Sequence, residues 1–93
     1  YDVYAIEKFE KEAEKLSDEE QRRINNLYKQ LKENPYVGDQ LRYRFFREKR
    51  LDEKRIYYLI YDDLNIVLAV AISDKKTQKE TINQIRYTKS WDS

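Results

Sequence analysis

The first third of the chain carries its apolar residues at helical spacing. Before that pattern starts, Tyr1 to Ala5 is short, β-branched and aromatic, which predicts a strand. Ile6, Phe9, Ala13 and Leu16 then recur among Glu and Lys every three or four positions, which predicts an amphipathic helix. Ser17 and Glu20 form an S-x-x-E capping box, in which each side chain satisfies a backbone N–H of a new helix start. Behind it, Ile24, Leu27, Tyr28 and Leu31 make a single stripe at i, i+3, i+4 and i+7. Asn34-Pro35 closes that helix, because the residue before a proline is pushed out of helical geometry. Two antiparallel helices joined at Ser17 follow.

After the turn at Gly38 the period changes from helical to alternating. Arg42 to Arg50 interleaves basic and aromatic residues, and Asp52-Glu53 breaks it. Arg55 to Tyr61 is dense in Ile, Leu and Tyr, and Asp62-Asp63 breaks it in turn. Ile66 to Ile72 is apolar on both faces, so this strand belongs in the middle of the sheet or beneath the helices. Thr77 and Glu80 offer a second capping box, and Ile82 with Ile85 predicts a short last helix. Trp91 lies in a tail without pattern. The expected order is β-α-α-β-β-β plus a C-terminal helix. It describes an α+β domain over 1–93, with the helical hairpin packed on a small antiparallel sheet.

Composition narrows the chemistry. The chain of 93 residues has no Cys and no His. A thiol nucleophile, a disulfide frame, a thiolate metal site and the usual neutral-pH acid/base group are all missing. Neither a metal nor a cofactor is expected. The longest apolar run, Ile66 to Ile72, is seven residues, far short of the ~20 that span a bilayer. No basic segment followed by an apolar one marks export, so a cytoplasmic protein away from the membrane is expected. Abundant Lys, Glu and Arg with no Cys or Met also suit a thermophile.

The net charge of +1 hides an uneven distribution. Residues 1–34 carry seven basic and nine acidic groups, a balance of −2. Residues 41–58 carry seven basic and three acidic groups, a balance of +4. An anionic partner is therefore expected at the strands. Arg42, Arg44, Lys49, Lys54 and Arg55 are expected to form one concave patch opposite the hairpin. The nucleic-acid reading leans on that patch.

The ordered set of motifs resembles the RelE/ParE toxin superfamily. The pieces are Asn34-Pro35, Gly38, Leu41, Phe45-Phe46-Arg47-Glu48-Lys49-Arg50, the turn Leu51-Asp52-Glu53, and Lys54-Arg55-Ile56-Tyr57-Tyr58. The resemblance implies a single RelE-like toxin domain held inactive by a cognate antitoxin. In the ribonuclease branch such a toxin cuts mRNA in the ribosome without a metal. It also implies site residues. Arg55 matches the arginine that grips the scissile phosphate, a task suited to a planar group that stays charged. Lys75 falls where the family places a second catalytic residue, and Lys49 and Arg50 fall where some members carry catalytic lysines. Asp39 lies near the acidic base of one branch. Arg42, Arg44, Arg47, Arg50, Lys54 and Lys76 would hold RNA, and Tyr58 would stack on a base.

Each assignment has an ordinary alternative. Arg55 could pair with Glu53 or Asp62, Lys75 could be a solvated helix-start lysine, and Gly38-Asp39 could be only a turn. As a residue of a sheet face, Arg55 is expected to contribute no more than about 1 kcal/mol to stability. The family's C-terminal His or Tyr has no match here, since Ser73-Asp74-Lys75-Lys76 stands in its place and Tyr87 comes several residues too late. Two other functions share the resemblance: a ParE-like inhibitor of DNA gyrase, and a non-catalytic relative that keeps only the antitoxin or nucleic-acid surface.

Overall fold

The computed structural model describes residues 1–85. Tyr87 and Trp91 lie outside the described residues. Strand β1 (Asp2–Ala5) leads into helices α1 (Glu7–Glu14) and α2 (Asp18–Glu33). A 3₁₀ turn (Pro35–Val37) and a two-residue strand β2 (Asp39–Gln40) follow. The chain then runs through β3 (Phe46–Leu51), β4 (Lys54–Tyr61), a second 3₁₀ turn (Asp62–Leu64), β5 (Ile66–Asp74) and α3 (Gln78–Gln84).

The hairpin forms as its sequence requires. Ser17 Oγ accepts the Glu20 backbone N–H at 3.1 Å, and Glu20 Oε1 accepts the Ser17 N–H at 3.1 Å. That reciprocal bond holds the Glu20 carboxyl below its usual range. The second expected box does not form, because Thr77 turns its hydrogen bonds back to Asp74 instead of capping α3. Its N–H on Asp74 Oδ1 keeps that carboxyl low.

The strands lie in the order β1-β5-β4-β3-β2. β2 to β5 pair antiparallel as an extended meander, whereas β1 runs parallel to β5 from Asp2↔Ile66 to Ala5↔Ala69. The sheet is thus mixed. The helical hairpin supplies the crossover that a parallel partner needs. β5 is flanked by β1 and β4, which explains its apolar residues on both faces.

One face of the sheet carries the main core. Ile56, Tyr58 and Ile60 of β4 and Val67 and Ala69 of β5 pack against Phe9, Ile24, Leu27 and Leu31 of the helices. We call this the hairpin face. On the far face, Phe46, Tyr57 and Leu59 form a second, smaller core under Ile82 and Ile85. A register shift at Tyr57/Tyr58 leaves Val70 as an extra residue of β5, so Val70 and Ala71 both join the far-face core.

Gly38 is required by packing rather than by its backbone angles. A Cβ there would lie 2.6 Å from the Tyr58 hydroxyl and 2.7 Å from the Glu48 carbonyl oxygen. At the β3–β4 turn, Asp52 takes a φ of 58°, in the left-handed region, and Arg23 of α2 bonds its carboxylate.

Candidate functional site

β3 and β4 bring a polar cluster together at one end of the far face. Alternation along β3 puts Phe46, Glu48 and Arg50 on this side, and the ladder sets Arg50 opposite Arg55. Arg55 is buried, with 9% of its side chain exposed. Its Nη1 lies 3.5 Å from Oε1 of the buried Glu48, which also accepts Gln78 Nε2 of α3 at 2.7 Å. Among the described residues, Arg55 Nε has no hydrogen-bond partner. Beside it, the Tyr57 and Ser73 hydroxyls share a 2.8 Å hydrogen bond. Burial raises the Tyr57 pKa, so its hydroxyl remains a donor at neutral pH.

Arg55 lines a cavity of about 460 Å³ together with Asp52, Glu53, Asp74, Lys75 and Lys76. Lys75 and Lys76 are exposed just beyond β5. A buried guanidinium with one unpaired donor and two flexible ammonium groups can hold an oxyanion such as a phosphate. The three carboxylates of the rim limit the charge that collects there.

The other expected site residues do not join this cluster. Lys49 is the register partner of Ile56, and Lys54 shares the side of Ile56, so both sit on the hairpin face. Lys49 is thereby separated from Arg55 by the thickness of the sheet. Asp39 is exposed on the edge strand opposite Glu48, two strands away from Arg55. The Arg44 and Arg47 guanidinium carbons lie 4.7 and 4.9 Å from the Tyr36 ring centroid, beyond the C-terminus of α2. Arg42 bonds Asn83 of α3. Tyr58 cannot stack on a base, for it is wholly buried. Its hydroxyl donates to the Pro35 carbonyl at 2.7 Å and accepts the Gly38 N–H at 3.0 Å. The single concave patch is therefore overturned, and of its expected members only Arg55 belongs to the cluster.

Neither ordinary alternative for Arg55 gives its partner. It pairs with Glu48, not with Glu53 or Asp62. No cluster of three or more acidic side chains able to hold a metal occurs among the described residues. None of the described helices is long and apolar enough to cross a membrane.

No protein-family model matches the sequence, and no curated protein matches it. Solved structures do. A mutant of Escherichia coli RelE in the free state superposes with a TM-score of 0.75 at 16% identity, over 92% of this chain and 98% of that one. The RelBE2 toxin–antitoxin complex of Mycobacterium tuberculosis gives 0.71 at 20% identity, over 81% and 98%. The archaeal RelE–RelB complex from Pyrococcus horikoshii gives 0.70 at 16% identity, over 81% and 94%. The chain has the RelE fold.

Within this RelE fold, sequence reading missed Glu48, Tyr57, Ser73 and Gln78. One signal for Glu48 was available. It is an acidic residue inside a strand of otherwise basic charge, two positions from Arg50 and so on the same face. Gln78 carried no such signal, because its place depends on how α3 crosses the sheet.

Proposed function

We propose that this protein is the toxin of a toxin–antitoxin pair, acting in the cytoplasm as a metal-independent endoribonuclease on mRNA at the ribosome. The single observation that carries the chemistry is Arg55. It is a buried guanidinium whose Nε is unpartnered and which borders a cavity rimmed by Lys75 and Lys76. The RelE fold, seen in complexes with RelB antitoxins, supports the pairing with a cognate antitoxin. In the reaction, a ribose 2′-oxygen loses its proton and attacks the adjacent phosphorus. The bond to the 5′ oxygen breaks, that oxygen takes a proton, and a 2′,3′-cyclic phosphate forms. Arg55 would hold the charge that builds on the phosphate oxygens. Lys75 is the candidate for the proton transfers, and Arg50 and Lys76 add charge along the RNA.

The scatter of the basic side chains favours a second reading, a RelE-like chain that binds its antitoxin and cleaves nothing. Lys49, expected to be catalytic, and Lys54, Arg44 and Arg47, expected to hold RNA, lie away from Arg55. Inducing the chain without its antitoxin and mapping mRNA 5′ ends separates the two. Abrupt translation arrest with new ends inside codons supports the ribonuclease, and arrest with DNA damage signalling supports gyrase inhibition. Growth without arrest supports the non-catalytic binder.

A further inference from the structure

Arg55 stands in a setting that ought to pull its guanidinium out of place. Arg50 is directly opposite on β3, and like charges at opposed positions repel. Three carboxylates line the cavity beside it; Arg23 holds Asp52 and Thr77 holds Asp74, which leaves Glu53 as the one placed to capture a freed guanidinium. Yet the guanidinium meets Glu48 instead, through Nη1, and leaves Nε unpaired. Glu48 is itself fixed, since its Oε1 accepts the 2.7 Å hydrogen bond from Gln78 and the carboxylate is buried.

We infer that Glu48 is the positioning residue of the site: pinned by Gln78, it holds the Nη1 end of Arg55 and so keeps the guanidinium at the wall of the cavity, poised for an incoming phosphate oxygen. Nε is buried as well as unpaired, so a phosphate that draws the guanidinium toward the cavity gives that donor the hydrogen bond it lacks at rest. The inference rests on the phosphate reading of Arg55 and adds to it the residue that sets its pose. Two roles for Glu48 give opposite signs. Were it merely a counter-charge, neutralising it would strengthen binding of any anion nearby. As a positioning group, its loss frees the guanidinium to swing toward Glu53, and anion binding weakens.

The test titrates inorganic phosphate into the ¹⁵N-labelled full chain and follows the Arg55 Nε–H resonance. Wild type is expected to show a resolved signal that shifts on binding. Glu48→Gln keeps the shape and a contact with Gln78 but loses the charge. It is expected to broaden that signal and weaken phosphate binding about tenfold. Glu48→Asp, which keeps the charge with a shorter reach, should fall between. Phosphate affinity that rises or stays the same in Glu48→Gln overturns the inference. Should that variant fail to fold, Gln78→Ala carries the test with the charge intact. A weakened response supports the inference, and an unmoved signal with unchanged affinity overturns it. If phosphate leaves the wild-type Nε–H unmoved, the phosphate reading of Arg55 falls and the inference with it. A wild-type response untouched by Glu48→Gln removes only the role of Glu48.

Discussion

The two faces of the sheet are built from neighbouring residues of the same strands and have opposite characters. On the hairpin face, Ile56, Tyr58 and Ile60 meet a continuous apolar layer from α1 and α2. The buried Tyr58 hydroxyl there makes two backbone hydrogen bonds. On the far face, Arg55 and Tyr57 share their side with Glu48 and Ser73, and one guanidinium nitrogen stays unpaired. Among the described residues, the seven-residue helix α3 covers part of it. Satisfied polar groups and wide apolar contact make a face that stabilises. Incompletely satisfied charge in a half-covered site makes a face able to bind.

The contrast can be broken by substitution, and the largest effect is expected on the hairpin side. Leu31 is completely buried, and Leu31→Ala should cost about 3–5 kcal/mol by lost transfer energy and the cavity left behind. Urea denaturation should show a lower midpoint, and any toxicity should fall with it. Equal stability to wild type would mean that the hairpin is not the chief support of the fold.

Arg55→Ala comes next and acts on two quantities at once. Losing transition-state contacts should slow the proposed mRNA cleavage by a factor on the order of a hundred to a thousand, or about 3–4 kcal/mol of barrier. Stability should drop too, because a buried Glu48 carboxylate is left without its partner. The sequence-based expectation of a cost within about 1 kcal/mol is therefore revised upward. Pairing Arg55→Ala with Glu48→Gln should restore part of the stability and none of the activity, as a double-mutant cycle with both readouts would report.

The adjacent tyrosines sharpen the comparison at constant chemistry. Tyr58→Phe removes an acceptor from the Gly38 N–H and a donor from the Pro35 carbonyl, so about 1–3 kcal/mol should be lost. Tyr57→Phe removes one hydroxyl–hydroxyl bond to Ser73 and should cost only about 0.5–1.5 kcal/mol. Thermal melts of the two variants should keep that order; the reverse order would place the tighter polar network on the far face.

The smallest effect lies outside both faces, at the α2 cap. Ser17→Ala should cost about 1 kcal/mol at neutral pH. The folded state holds the Glu20 carboxyl below its ordinary value, so the stability it contributes is present above that value. It is lost as pH falls through the lowered one. Denaturation curves at pH 7 and near pH 3 should therefore show the gap between wild type and Glu20→Ala closing in acid.

Local pattern alone determined the hairpin, its cap, the three long strands and the short last helix. Each of these rests on interactions within a few residues: the 3.6-residue stripe of Ile24, Leu27 and Leu31, the Ser17–Glu20 bond, and the alternation around Asp52-Glu53. The parallel pairing of β1, the extra residue at Val70 and the crossing of α3 were decided only in three dimensions, since each depends on partners more than ten positions away. The site divides the same way. A resemblance in order and spacing singled out Arg55, but a list of basic residues does not say which face of a sheet each one takes. Pairing sent Lys49, Lys54 and Tyr58 to the hairpin side and set Glu48 beside Arg55. A strand's side-chain period is two, so one residue of register decides whether a charge meets the core or the cavity, and register is a property of the assembled sheet.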